Sequence, residues 1–391
     1  MQGKKILVII CGCIAISLVI AFFLIPGARL APAGAGKPTV YILYSTAGSM
    51  PQLLNTDQID AFFVWQPYVA MANEGGMGKI ITYSENLPPD HYWADKPCCV
   101  LVMSDKFIKQ EPELARMISL LTTAGIQYVN DYPDTAEQIT AGWLFGSGDL
   151  LVAGTHLNPL TVEQESFPTL HFINVSSTLQ SYNSTRKPHQ TLAGSGFFMP
   201  VTPAPLTTIR EDTRASPTHE LPLIRFGYLS SDHHAPLFVL AMDSEYFLDN
   251  YGLALVPVNP GDKRPNLFNL VSDNTTVAEV QLVPGQSGGG LMTIMGQGVI
   301  DAAYLGSTPA NLQIQLGNPS QVIEPLHTGG SALVAADTAP CNNWNNFTAW
   351  ARTRSAAGRP LVVATVQSSI QEDMIWTALK SEGFEVRLYG T

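Results

Sequence analysis

Short apolar runs bounded by glycine, proline or small polar residues recur along the chain and predict buried strands. Thr39 to Tyr44 is the first such run. After it come a small-residue loop (Ser45 to Met50), a helix start (Pro51 to Leu54) and the stretch Gln58-Ile59-Asp60-Ala61-Phe62-Phe63-Val64-Trp65-Gln66-Pro67. The same order returns with a strand at Val280 to Val283, a glycine-rich loop at Gly285 to Gly290 and a helix start at Leu291 to Met295. Gly298-Val299-Ile300-Asp301-Ala302-Ala303-Tyr304-Leu305-Gly306-Ser307-Thr308-Pro309 completes it. Each copy is strand, loop, helix and a second strand opened by Ile-Asp-Ala, which is a βαβ unit. Two such units predict two parallel-sheet lobes of similar build.

Helical spacing is legible between them. After Glu111-Pro112-Glu113, the residues Leu114, Ile118, Leu121 and Tyr128 fall on one face, as an amphipathic helix requires. Asp232 to Asn250 reads as another helix, with Phe238, Met242 and Phe247 apolar and Gly252 as its stop. Leu206 to Pro222 is polar, proline-punctuated and without an apolar period, so it predicts a linker. The chain closes on a strand-like run, Phe384 to Tyr389, that has nothing after it to pair with.

At 391 residues and 46% hydrophobic, the chain can fill a sizeable core without staples. A formal net charge of −11 with 14% charged residues disfavours nucleic acid as a partner. Cys11 and Cys13 lie in an apolar run, Cys98 and Cys99 are adjacent and Cys341 stands alone, so no CxxC metal spacing occurs and no cofactor or metal is expected. Lys4 and Lys5 precede the apolar stretch Ile6 to Ile25, long enough at about 1.5 Å per residue to cross a bilayer. The bulk of the protein is then extracytoplasmic, tethered or secreted, with Ala33-Gly34-Ala35 as a possible cleavage site. Sequons at Asn174, Asn183, Asn274 and Asn346 agree weakly with export.

These residues resemble a family: the substrate-binding proteins of nitrate, taurine, aliphatic-sulfonate and pyrimidine-precursor ABC importers. Arg225 to Leu237 resembles that family's first strand and first ligand loop, and Ile300 to Gly306 its next loop. Thr328 to Val334 resembles the crossing into lobe two, and Gly358 to Ala364 with Ser368-Ser369-Ile370-Gln371 a lobe-two strand and helix cap. Lys37 to Tyr68 and Pro97 to Phe107 resemble what should follow, namely the rest of lobe two and the return strand. The resemblance implies an α/β, two-lobed type II periplasmic-binding fold, each lobe a mostly parallel sheet flanked by helices, in circularly permuted order.

The expected division is a leader and spacer at 1–36, the second part of lobe two at 37–96, and the return strand with the helical part of lobe one at 97–205. The linker at 206–222, the first part of lobe one at 223–330 and the first part of lobe two at 331–391 follow. The resemblance also implies a monomer that captures a small solute by hinge closure for an ABC permease and ATPase. The alternatives are a membrane-anchored sensing ectodomain and an enzyme on the same fold, similar to a thiamine-pyrimidine synthase with a cysteine-rich iron site and an essential histidine. A permease and ATPase encoded nearby would favour import, and a kinase would favour sensing.

Loops leading from strand into helix present unpaired N–H groups and the positive end of a helix dipole, which suits an anion or a small heterocycle. Ser230, Ser231 and Asp232 end one strand; Gly306, Ser307 and Thr308 end another; Gly330 and Ser331 mark the crossing. Ser368, with Gln371 three residues on, fits a capping box, with Ser369 beside it, and Ser49 before Pro51 reads as another cap. Trp65 and Gln66 could supply an aromatic wall and an amide. His233 and His234 are candidate solute contacts, while Cys98 and Cys99 read as core packing of a buried strand.

Overall fold

A computed structural model describes residues 36–146, 148–175 and 221–390. The apolar leader, the Ala33 site, the Asn183 sequon and nearly all of the expected linker lie outside the described residues. Among the described residues no helix is long and apolar enough to cross a membrane.

The chain starts in one sheet with β1 (Thr39–Tyr44), α1 (Met50–Asn55), β2 (Ala61–Trp65), α2 (Tyr68–Glu74) and β3 (Gly78–Tyr83). It crosses to a second sheet at β4 (Cys99–Ser104) and continues through α3 (Asp105–Gln110), α4 (Pro112–Asp131) and α5 (Pro133–Phe145). A hairpin of β5 (Leu150–Val152) and β6 (Thr155–Leu157), then α6 (Pro159–Ser166) and β7 (Leu170–Phe172), end that stretch. After the undescribed segment come β8 (Leu223–Leu229), α7 (Ala235–Met242), α8 (Ser244–Tyr251), β9 (Leu253–Pro257), β10 (Leu267–Ser272) and β11 (Thr275–Gly285). They lead to α9 (Gly288–Gly296), β12 (Ala302–Gly306), α10 (Ser307–Gln315) and β13 (Ser320–Gly329). The return to the first sheet is β14 (Ser331–Ala336), α11 (Trp344–Ala356), β15 (Leu361–Thr365), α12 (Ile370–Ser381) and β16 (Glu385–Leu388).

Lobe two is the six-stranded sheet β16-β1-β15-β2-β14-β3, and lobe one the eight-stranded sheet β7-β13-β4-β12-β8-β11-β10-β9. The closing strand β16 finds its partner in the opening one: Thr39 pairs with Glu385 and Ile42 with Leu388, in parallel. Lobe two is parallel from β16 through β2 and antiparallel only around β14. Lobe one is parallel only along β11-β8-β12. Its other neighbours run antiparallel, because β9 to β11 are joined as hairpins and β4 returns from the other lobe between β12 and β13. Every residue of β4 is buried, which is why it reads as an unbroken apolar run rather than an alternation.

The repeated Ile-Asp-Ala has one physical role in both lobes. The Asp301 carboxylate accepts the backbone N–H of Arg225 at 2.8 Å, while its own N–H donates to the Arg225 carbonyl at 2.9 Å. Asp60 does the same with Val362, at 2.9 Å for both bonds. The aspartate thus ties the start of one parallel strand to its neighbour, between a buried isoleucine and a buried alanine (Ile59 and Ala61, Ile300 and Ala302).

The amphipathic stretch after Pro112 is α4, with Leu114, Ile118, Leu121 and Tyr128 all buried. It lies so close to α7 that a Cβ on Gly125 would meet the Pro236 carbonyl oxygen at 2.7 Å. The structure departs from the sequence expectation at two places. Asp232 to Asn250 is not one helix: Asp243 breaks it by capping the Tyr246 N–H at 3.3 Å, and Met242 at the break is 45% exposed. Gly252, at φ 63°, does end the second piece. The strand around Val280 is longer than its apolar centre and runs to Gly285, and Gly288 to Gly290 open α9 instead of forming a loop.

Candidate functional site

The chain crosses between the lobes at Pro97 to Cys99 and at Gly329-Gly330, and a small cavity lies beside these crossings. The centre of a water molecule can range over about 20 Å³ inside it, room for little more than a single water. Lobe one supplies Leu229, Ser231, His233, His234, Cys99, Gly288, Gly306 and Pro309 to its wall; lobe two supplies Trp65, Ser369, Ile370 and Gln371. No lysine or arginine lines it.

Helices begin at this wall because small capping residues end the preceding strands. Ser287 caps the Gly290 N–H of α9 at 3.1 Å, Gly306 precedes α10, and Ser369 caps the Glu372 N–H of α12 at 3.1 Å. Three helix N-termini therefore direct positive dipole ends toward one cavity. The lobes also touch directly. Ser231 Oγ donates to the Gln66 carbonyl at 2.8 Å, the Tyr68 hydroxyl donates to the Ser230 carbonyl at 3.4 Å, and Gln371 Nε2 donates to Cys98 Sγ at 3.7 Å.

Two wall residues carry buried N–H donors without partners. His234 Nδ1 accepts the Leu229 N–H at 2.9 Å, so its proton sits on Nε2, which has no partner. Burial, reinforced by the neighbouring charge of His233, lowers His234 to about 3 and keeps that ring neutral. Trp65 Nε1 is the second unpartnered donor, from the opposite lobe.

A titratable group that the sequence reading did not assemble reaches from this wall, at Cys99 and His233, to Cys98 and His327. His233 Nε2 donates to the Gly330 carbonyl at 2.7 Å, and its Nδ1 stands 3.6 Å from Cys98 Sγ and 3.7 Å from Cys99 Sγ. Cys98, Cys99, His233 and His327 are all buried, and one ligand atom from each lies within 4.8 Å of the others. The Cys99 hydrogen bond brings the Cys98 thiol down to about 5 against the opposing effect of burial, with help from His233, whereas the same bond and burial hold Cys99 well above its usual range. Burial alone would depress His233, but the charge and hydrogen bond of Cys98 and the charge of Asp232 raise it. Burial lifts Asp232 to about 6 although His233 and the Ser166 hydroxyl, which donates to it at 2.6 Å, both pull it down. Glu163, also buried and beside Asp232, is pushed well up by burial and by that carboxylate.

Of the residues singled out in the sequence, Trp65, Ser231, His233, His234, Gly306 and Ser369 line the cavity. Asp232 is fully buried behind it, hydrogen-bonded to Ser166. The others are occupied beside it. Ser307 Oγ donates to the Pro97 carbonyl at 2.7 Å, and Ser331 Oγ accepts from Gln371 Nε2 at 2.9 Å. Ser230 is exposed, Thr308 is half-buried, and Gly330 accepts from His233 and from the Gln66 N–H. Gln66 is turned into its own lobe, where Oε1 accepts the Ala70 N–H at 3.0 Å.

Two capping assignments need correction. The cap on α12 lies one residue on: Ser369 Oγ accepts the Glu372 N–H, and exposed Ser368, at φ 56°, donates its N–H to the Glu372 carboxylate at 2.5 Å. Ser49 caps nothing; its hydroxyl donates to the Thr46 carbonyl at 2.8 Å. The sequence reading missed His327, hidden inside a strand, and Glu163 and Ser166 on α6, which carry no local signal. The Cys98-Cys99 pair was a visible signal, read only as core.

An uncharacterized protein of Methanocaldococcus jannaschii is 37% identical over 112 residues, spanning 28% of this chain and 74% of that protein. No solved structure matches. Residues 37–144 and 218–387, well over half the chain and drawn from both lobes, match the NMT1-like family. The chain belongs to the NMT1-like family of substrate-binding proteins.

Proposed function

We propose that the protein holds a small, acceptor-rich solute, an anion or a carbonyl-bearing heterocycle, between its lobes and delivers it to an ABC permease and ATPase from the extracytoplasmic side. The observation that carries this reading is the pair of buried, unpartnered donors, His234 Nε2 and Trp65 Nε1, in opposite walls of one cavity. An unmatched buried donor costs about 1–3 kcal/mol, and a solute oxygen accepting from both would recover that cost while joining the lobes. Helix N-termini add positive potential without a basic side chain.

The space between the walls holds little more than a water, so on this reading the lobes part for a solute to enter. Rotation at the two crossings, near Cys99 and Ser331, supplies that opening. Thermal-shift measurements with nitrate, bicarbonate, taurine, alkyl sulfonates and pyrimidines test the reading. A solute at a hundredfold excess over its Kd stabilises by about 2.7 kcal/mol, and Trp65→Phe should abolish most of the shift. If no solute raises the melting temperature and the scattering radius is the same with and without each, the reading fails.

We also propose a permuted lobe order, supported by the neighbouring positions of β1 and β16 in one sheet. Their parallel direction means that direct joining of Thr391 to Lys37 is too short, since parallel neighbours need a crossover of about a dozen residues. A chain reordered to begin at Leu223, with such a linker, should melt as cooperatively as the natural order.

A further inference from the structure

The cluster that Cys99 and His233 of the cavity wall form with Cys98 and His327 has the composition and the spacing of a metal centre. Consecutive residues of an extended strand point to opposite faces, yet the thiols of Cys98 and Cys99 both reach the same nitrogen, His233 Nδ1, at 3.6 and 3.7 Å. A tetrahedral Zn²⁺ with bonds of about 2.3 Å to sulfur and about 2.0 Å to nitrogen sets its sulfur and nitrogen ligands about 3.6 Å apart. The His233 contacts already have that separation.

Each histidine also has the outer hydrogen bond that metal-binding imidazoles need. His233 Nε2–H donates to the Gly330 carbonyl at 2.7 Å, which leaves the Nδ1 lone pair facing the thiols. His327 Nδ1 donates to the Thr328 carbonyl at 3.2 Å, and its Nε2, in a residue with no solvent exposure, has no partner. A backbone carbonyl on the far nitrogen fixes the tautomer and orients the ring toward a metal. A buried imidazole nitrogen without a partner is otherwise a cost with nothing to offset it.

Charge points the same way. Two thiolates cancel a divalent cation, so the filled centre is neutral and its burial carries no net charge penalty. Two sulfurs and two imidazole nitrogens in a tetrahedral arrangement suit Zn²⁺ above the harder cations that prefer oxygen.

We propose that Cys98, Cys99, His233 and His327 form a site for one Zn²⁺, fastening the two interlobe crossings to the first loop of lobe one. Cys98 and Cys99 stand at one crossing, His327 ends two residues before the Gly329-Gly330 crossing, and His233 sits on the turn that lines the solute cavity. Gln371, from lobe two, donates to Cys98 Sγ and so places an outer contact on the centre from across the cleft. The site stands on its own donor atoms and holds whichever solute the cavity takes.

The test uses the full chain, purified without chelator, and reads metal content by atomic emission. One zinc per chain is expected, and replacement by Co²⁺ should give visible bands of a tetrahedral ion with sulfur-to-metal absorption in the near ultraviolet. Cys98→Ser and His327→Gln should each weaken binding at least tenfold, read by competition with a colorimetric zinc chelator. Cys341→Ser, remote from the cluster, should leave it unchanged. Circular dichroism and a cooperative melt establish which variants fold. Should Cys98→Ser fail, His327→Gln, which keeps the size and polarity of the site, carries the comparison. Zinc content at background in the folded wild-type chain after incubation with Zn²⁺, or undiminished affinity in a folded His327→Gln protein, overturns the proposal. Solute shifts in the presence and absence of chelator are measured separately, so failure of the metal site is distinguishable from failure of solute capture.

Discussion

The two lobes share a fastening and divide the cavity between them unequally. Asp60 and Asp301 close equivalent parallel strand pairs with the same two hydrogen bonds. At the cavity, lobe two presents an indole, a serine and an amide, none of which titrates, while lobe one presents His233, His234 and Cys99 with Asp232 behind them. Repetition preserved what holds a sheet together; it did not extend to what faces the cavity. A strand-end carboxylate answers a backbone demand that every βαβ unit makes, whereas cavity chemistry answers to the occupant alone.

The strongest way to break the arrangement is at the crossing that both lobes use. Gly330 has φ +75°, and a Cβ there would stand 2.4 Å from Leu170 and 2.5 Å from His233 Nε2. Gly330→Ala combines left-handed strain with overpacking, each costing roughly 1–3 kcal/mol. Urea denaturation should therefore show a loss of about 3 kcal/mol or more, or no cooperative folding.

Next in size is a buried acid that only lobe one carries. Burial raises Glu324 to about 7 from 4.5, although the Ser119 and Thr123 hydroxyls donate to it at 2.9 Å and pull it down. The folded state therefore holds a proton that the unfolded state releases at lower pH. Its contribution is neutral below about pH 4.5, becomes increasingly destabilising as pH rises through 7, and is complete above that. The difference corresponds to about 3 kcal/mol. Glu324→Gln should flatten the decline in melting temperature between pH 5 and 8; an unaltered slope would refute the assignment.

The shared fastening makes a finer prediction. Asp301→Ala strands the Arg225 N–H and Asp60→Ala the Val362 N–H, each costing about 1–3 kcal/mol. Asp60 also pairs with Arg354 at 3.2 Å, with their side chains 20% and 32% exposed. The Asp60 variant should therefore lose slightly more, by up to about 1 kcal/mol, and that excess should shrink in high salt. The smallest effect belongs to Ser231→Ala, which removes one bond to the Gln66 carbonyl across the cleft, worth about 1 kcal/mol. Scattering should show a slightly larger mean radius for that variant without solute, and an equal radius would mean that the bond does not bias closure.

Much of the frame was legible in one dimension. Apolar runs, the Ile-Asp-Ala repeat and the Pro112 helix follow from contacts within a few residues or from strand periodicity, and these are written locally. The break at Asp243 was not, because an aspartate inside an apolar-periodic stretch becomes a cap only when the next helix takes a new direction. Serines at strand ends were legible as a class, yet Ser307, Ser331 and Ser368 turned out to be committed to backbone or side-chain partners that lie far away in sequence or were misaligned by one position.

The sequence by itself determined the strand and helix periods, the duplicated βαβ unit and the net negative charge, since these depend on composition and on neighbours within a turn or a pleat. Only the tertiary structure decided that β16 lies against β1, that His234 and Trp65, each with an unpartnered buried donor, line one cavity, and that His327 joins Cys98, Cys99 and His233. Those relations link residues more than ninety positions apart, and sheet order and the two crossings, rather than local pattern, bring them together.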